Sequence, residues 1–246
     1  MQIITIANQK GGTAKSTTAA ALAQAAAYKG QRVLAIDLDP QGNLSFFLQA
    51  DTSRPGSYEL LEGKAKPADV IQHTAAGVDV IPASWNLSTI TTGKGSARRL
   101  QQALDPIKKV FGYSLVLIDT PPTAGELQYN ALQASSKLLI PLQTDIVGLQ
   151  GFYQIADTAR QIKQSNPALK ITGFVLTRHR GRSTLAKQMQ ETITQQAAAQ
   201  GIPFLMAIRE AVAVQEAQTL QQSLYEYAPN SKPAADYLQL LDMITA

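Results

Sequence analysis

"IANQKGGTAKSTTAAAL", residues 6–22, decides how this chain is read. An apolar strand runs into two glycines, then Lys-Ser-Thr, then a run of helix formers. That order suits a phosphate-binding loop. Backbone N–H groups from Gly11 through Thr13, Ala14, Lys15 and Ser16 turn inward around phosphate oxygens, and the helix starting near Lys15 adds its positive end. Lys15 is placed to neutralise β- and γ-phosphate charge, and Ser16, followed by Thr17, to offer a hydroxyl to Mg²⁺. The general pattern, G-x-x-x-x-G-K-[ST], has glycine at two positions that Gln9 and Ala14 fill here. If position 14 needs φ > 0, Ala14 costs about 1 kcal/mol or somewhat more, whereas φ < 0 would accept it freely.

Working outward, apolar runs of strand length alternate with segments of helical period. The strands are expected at 2–7, 32–39, 78–83, 114–120, 137–144, 170–177 and 203–208. Most are continuous Val/Ile/Leu runs, as in parallel strands buried on both faces. Helices are expected near 15–29, 96–111, 148–165, 183–200, 212–226 and 233–245. The alternation predicts an α/β fold: a doubly wound, mainly parallel sheet flanked by helices, with right-handed crossovers. Residues 51–76 are the least regular and are expected at the surface. No repeat or linker divides the chain, so residues 1–246 form one domain.

Two further motifs end on strands. "LAIDLDPQGN" delivers Asp37 and Asp39 to the C-terminal end of the second strand, the edge where open α/β sheets bind ligands. "LVLIDTPP" delivers Asp119 to the same edge, and Thr120-Pro121-Pro122 force an extended exit. Asp119 suits a carboxylate holding Mg²⁺ directly or through water. A glycine turn, or an Asp capping a strand end, explains any one motif alone; three on successive strand ends do not arise by chance.

Composition removes several chemistries. With no cysteine there is no disulfide, thiolate metal site, iron–sulfur cluster or cysteine nucleophile, and His73 and His179 are the only histidines. No signal peptide and no run of about 20 apolar residues is visible, so the expected location is the cytoplasm. The net charge of +4 permits nucleic-acid contact without demanding it. Residues 178–187, "RHRGRSTLAK", collect Arg178, Arg180, Arg182 and Lys187 with no acid, a cluster able to bind a phosphate backbone without reading sequence.

"KGGTAKST" resembles the deviant phosphate loop, KGGxGK[ST], of the ParA/MinD ATPases, and "DLDPQGN" and "IDTPP" resemble its companion motifs. The similarity is greatest to the ParA (Soj) partition ATPases and extends through "VIPAS", "IPLQTDIVGLQG", "GFVLTRHRGRSTL" and "EYAPNSKPAADYLQLL". That family has no glycine at Gln9, whereas Ala14 departs from it. A Gly-Thr-Ala-Lys-Ser run also resembles the loop of MCM-type helicases.

The resemblance implies an ATP- and Mg²⁺-dependent ATPase. Lys10 would reach across a homodimer to the other copy's phosphates, so that two protomers sandwich two ATP molecules. Asp39 would orient the attacking water, with Ser16, Asp39 and Asp119 around Mg²⁺; Asp37 is left between that shell and a structural role. It implies non-specific DNA binding on the nucleoid, Arg182 matching a DNA-contacting arginine, and hydrolysis stimulated by a ParB-like centromere-bound protein. The family's later "PRNVR" reads "REAVA" here, with Ala213 in place of its last arginine and Arg209 as partial compensation. The segment 203–211 is expected near the adenine. With no segment ahead of the first strand, operator binding by an added domain is not expected.

A MinD-like positioning ATPase acting on another cargo or at a membrane is the alternative, but "AADYLQLLDMITA" carries two Asp and no Lys or Arg, so membrane contact is not expected. Missing cysteines argue against redox relatives, scattered tyrosines against an autokinase, and the intact Lys10, Lys15, Ser16, Asp39 and Asp119 against an inert scaffold.

Overall fold

The computed structural model describes residues 1–246 except 91, 92, 94, 95, 182 and 183, with the backbone alone for Ile146, Val147 and Leu185. Strand β1 is Gln2–Ile6, β2 Val33–Asp37, β3 Gln72–His73, β4 Asp79–Ile81, β5 Leu115–Asp119, β6 Lys137–Gln143, β7 Lys170–His179 and β8 Phe204–Arg209. They form one sheet in the order β3-β4-β2-β5-β1-β6-β7-β8. Only β3 and β4 pair antiparallel. The seven expected strands are present. The two-residue β3 adds an eighth, too short to announce itself as a period-2 pattern.

The sheet reverses direction around β1. The chain first builds outward through β2 and β4, then inserts β5 beside β1, and continues on the other side with β6, β7 and β8. Such a reversal opens a crevice at the carboxyl ends of the strands. Register sets its floor: Asp119 stands opposite both Ile6 and Asp37.

Alternation along the strands feeds two faces. Leu115 and Leu117 join Ile4, Ile6, Val33 and Ala35 against the first helix, Lys15–Tyr28, and the last, Lys232–Thr245. Val116 and Ile118 join Leu34 and Ile36 against Leu100, Leu104 and Ile107 of the helix Arg99–Val110. The first helix is buried continuously from Thr18 to Ala26; its alanines let it lie between the sheet and the last helix.

Three expectations need correction. Residues 51–76 are not simply surface: they contain the short helices Ser57–Leu61 and Pro67–Val70, and Leu60, Leu61 and Val70 are buried in the second core. The segment 212–226 is two helices, Val212–Thr219 and Leu224–Tyr227, separated where Gln221 turns left-handed (φ 54°). The extended exit after Asp119 soon becomes an unexpected helix, Glu126–Ala134. Gln128, Asn130 and Gln133, all buried there, hide its apolar period. Asn130 holds it in place, accepting the Leu100 N–H at 3.0 Å and donating to the Glu126 carbonyl at 2.9 Å.

Candidate nucleotide site

The loop from β1 to the first helix is fastened from below. Buried Asn8 donates to the Pro141 carbonyl at 2.8 Å. Gln9 donates through Nε2 to Gln128 Oε1 at 2.7 Å and to Thr158 Oγ1 at 2.9 Å, bracing two helices where the general pattern has glycine. Thr158 belongs to the helix Ile146–Ile162, which packs against this loop through Gly151. A Cβ there would come within 2.5 Å of Asn8 Oδ1 and 2.9 Å of Lys10 Cβ. Above these anchors Gly12 takes φ 78°, a conformation glycine adopts at little cost.

Ala14 resolves the alternative left open by its spacing. It lies left-handed at φ 62°, ψ 35°, and its carbonyl accepts the Thr18 N–H at 2.9 Å, starting the helix. Its methyl group therefore carries the steric cost that glycine avoids.

Lys15 is buried, and its Nζ donates to the Lys10 carbonyl at 3.1 Å, closing the loop on itself. Burial pushes its pKa down, against the attraction of Asp119 and Asp39. Lys10 points elsewhere. Its Nζ meets both oxygens of Asp145 at 2.7 and 2.9 Å. Asp145 also caps the helix Ile146–Ile162 by accepting the Gly148 N–H. Asp145 was not singled out from sequence, although an Asp before the helical run "IVGLQG" is an N-cap signal.

The three aspartates divide their work. Asp37, fully buried, accepts the Asp39 N–H at 3.0 Å and, on its other oxygen, the Ser45 N–H at 2.8 Å and hydroxyl at 2.7 Å. These bonds tie Asp37 to the loop after β2. Burial raises its pKa to about 6, while the Ser45 and Asp39 donors pull it back. Asp39 accepts the Gln41 N–H at 3.1 Å and lines a cavity of about 290 Å³ with the loop 11–17, Phe47, Pro122 and Arg178. Asp119 accepts the Thr120 N–H on Oδ1 at 3.0 Å, while buried Oδ2 has no hydrogen-bond partner. Burial, then the charge of Asp37, raise the Asp119 pKa well above the carboxylate range; Ser16 and Lys15 pull it back.

An orphaned carboxylate oxygen with Ser16 and Asp39 nearby fits Mg²⁺, a hard cation that prefers oxygen donors. Among the described residues no cluster of three His, Cys, Asp or Glu side chains is placed to hold a metal alone. Mg²⁺ would thus bind together with phosphate oxygens, its usual arrangement.

Comparison with known proteins decides the family. Residues 1–171 match a family profile described as an AAA domain. The chromosome partitioning protein ParA of Caulobacter vibrioides is 40% identical over 201 residues, covering 78% of this chain and 75% of that protein. The chromosome-partitioning ATPase Soj of Thermus thermophilus is 34% identical over 245 residues, 99% and 95% of the two chains. The chain belongs to the ParA/MinD family of P-loop ATPases. Solved structures agree. MinD of Pyrococcus horikoshii with Mg-ADP superposes with TM-score 0.80 at 26% identity, over 99% and 95% of the chains. Cobyrinic acid a,c-diamide synthase of Mycobacterium smegmatis with an ATP analogue and magnesium gives 0.82 at 29%, over 98% and 93%.

Against this ParA/MinD frame, the remaining residues fall into place unevenly. Ile208–Ala211 wall a second cavity beside the first, lined also by Ala14, Thr17 and Tyr237, where the base was expected. The described members of the basic cluster have different surroundings. Arg178 lines both cavities. Arg180 pairs with Glu210 but remains 82% exposed. Lys187 is exposed on the helix Thr184–Ala199. Arg182 lies outside the described residues. Arg209, expected as partial compensation for the arginine lost at Ala213, is paired: Asp236 engages its Nε at 2.9 and 3.1 Å, and its Nη2 also reaches the Lys232 carbonyl at 3.4 Å.

Proposed function

We propose that the chain is a DNA-partition ATPase that works as a dimerisation switch, binding Mg²⁺·ATP between two copies. The observation that carries this reading is the contrast between its two loop lysines. Lys15 is folded into its own loop, while Lys10 stands outside that cavity, 2.7 Å from Asp145. Once released from Asp145, a lysine so placed can reach a second copy.

In this reading Lys15 binds the β- and γ-phosphates, and backbone N–H groups of residues 11–16 surround them. Mg²⁺, held by Ser16 and Asp119 with Asp39 close by, neutralises phosphate charge when bound. Asp39 accepts a hydrogen bond from the attacking water and orients it. Lys10 of the partner subunit supplies the second cation. Because the γ-phosphate helps hold the two copies together, hydrolysis to ADP releases them. The ATP dimer binds DNA without sequence preference through Arg180, Arg182 and Lys187, placing the protein on nucleoid DNA in the cytoplasm. A ParB-like centromere-bound protein accelerates turnover that is slow alone.

A membrane-positioning role is less favoured. The last helix buries Ala234, Tyr237, Leu240, Leu241 and Ile244 in the core, so its apolar face is already used. Among the described residues no helix is long and apolar enough to cross a membrane.

The test measures molecular size and DNA retention with ATP, ADP and no nucleotide. We expect an ATP dimer that holds DNA, that Asp39→Ala traps and that Lys10→Ala prevents. A monomer indifferent to ATP and to DNA sinks the switch.

A further inference from the structure

Among the described residues, four that are not glycine have a left-handed backbone: Ala14 (φ 62°), Gln49 (57°), Arg178 (50°) and Gln221 (54°). Gln49 and Gln221 are held by a mutual clasp. Gln49 Nε2 donates to the Gln221 carbonyl at 2.7 Å, and Gln221 Nε2 to the Phe46 carbonyl at 2.9 Å. Ala14 is held by the loop it closes. Arg178 has no such compensation: its exposed side chain makes no hydrogen bond or ion pair with the described residues.

The backbone on either side of Arg178 explains why it turns. Buried Thr177 points its hydroxyl at the Thr13 and Leu142 carbonyls, at 3.2 and 3.3 Å. The His179 carbonyl accepts the Glu210 N–H at 3.3 Å. Between these fixed points the pairing of β7 with β8 slips its register, from Leu176 to His179. Such irregularities re-aim a side chain, and strain of this kind concentrates at ligand clamps.

The direction of aim is specific. Among the described residues, only Ala14, Thr17 and Arg178 belong to the walls of both the phosphate-side and the base-side cavity. A nucleotide with its phosphates in the first and its base in the second must pass this seam with its α-phosphate and ribose. Arginine offers planar, multiple donors suited to phosphate oxygens.

We propose that Arg178 is a nucleotide ligand at the α-phosphate–ribose segment, and not a DNA contact. This rests on the reading that the cavity holds ATP. The contacted segment is common to ATP and ADP, so Arg178 strengthens both equally and leaves their discrimination to groups at the γ-phosphate.

The experiment compares wild type, Arg178→Gly and Arg178→Lys in the full chain by calorimetric titration with ATP and with ADP. Glycine accepts the left-handed backbone, so Arg178→Gly deletes the guanidinium while relieving strain; thermal unfolding should show it at least as stable as wild type. We expect about a tenfold loss for ATP and ADP alike in Arg178→Gly, and a smaller one in Arg178→Lys. DNA retention at saturating ATP should stay at the wild-type level in Arg178→Gly. Unchanged nucleotide affinity, a loss confined to ATP, or lost DNA binding at saturating ATP overturns the assignment while the switch stands. A wild type that binds neither nucleotide overturns both.

Discussion

Gln9 occupies a position where a general phosphate loop has glycine, and it earns stability there by bracing Gln128 and Thr158. Restoring glycine should therefore harm the protein. Gln9→Gly is expected to lower unfolding stability by about 1–3 kcal/mol in denaturant titration, having lost two hydrogen bonds and gained chain entropy. Ala14 is the reverse case. Its φ of 62° suits glycine, so Ala14→Gly should raise stability by about 1 kcal/mol and weaken nucleotide binding not at all. A lower midpoint in the same titration would count against a left-handed Ala14. Ser45 carries a less visible load, since its hydroxyl donates to Asp37 and accepts the Ala83 N–H at 2.9 Å. Ser45→Ala strands that buried N–H and should cost about 1–3 kcal/mol, with a matching fall in unfolding midpoint.

Among the elements, those visible in the sequence are those whose own pattern decides them. β1, β2 and β5 are mainly apolar and almost wholly buried, broken in β1 by Gln2 and Thr5, and each ends on a carboxylate or leads into the glycine-rich loop. The placement of residues 10–17, Asp39 and Asp119 at one edge of the sheet was legible for that reason. The helix Glu126–Ala134 was not, because its buried positions include Gln128, Asn130 and Gln133, whose burial depends on partners far away in sequence. Asp145 was missed similarly: its cap to Gly148 is local, but its bond to Lys10 spans 135 positions. The left-handed Gln221 that splits 212–226 has no turn residue to announce it. Gly151 gives this scale its test. Gly151→Ala pushes a methyl into Asn8 and Lys10, so the helix Ile146–Ile162 must move off the loop. Overpacking of this sort costs about 1–3 kcal/mol, and weaker ATP binding should accompany it in titration.

For the whole molecule, the ion pair between Lys10 and Asp145 would set a threshold on the proposed dimer. A second copy can use Lys10 only after it leaves Asp145. Asp145→Asn removes the competing charge while keeping an oxygen able to cap the helix. With ATP, this variant should dimerise at lower protein concentration than wild type, as read by sedimentation. No shift would mean that the pair opens without consequence.

The order of strands in the sheet also carries a message about birth. β1 and β2 are made early, yet β5 lies between them, and the last helix, Lys232–Thr245, covers the first. A nascent chain that has only its first hundred residues outside the ribosome holds Lys15 and Asp39 without the strand that joins them. Its Ala-rich first helix stays half covered until the C-terminus emerges. The edge that gathers Lys15, Asp39 and Asp119 is thus complete only after β5 has been made.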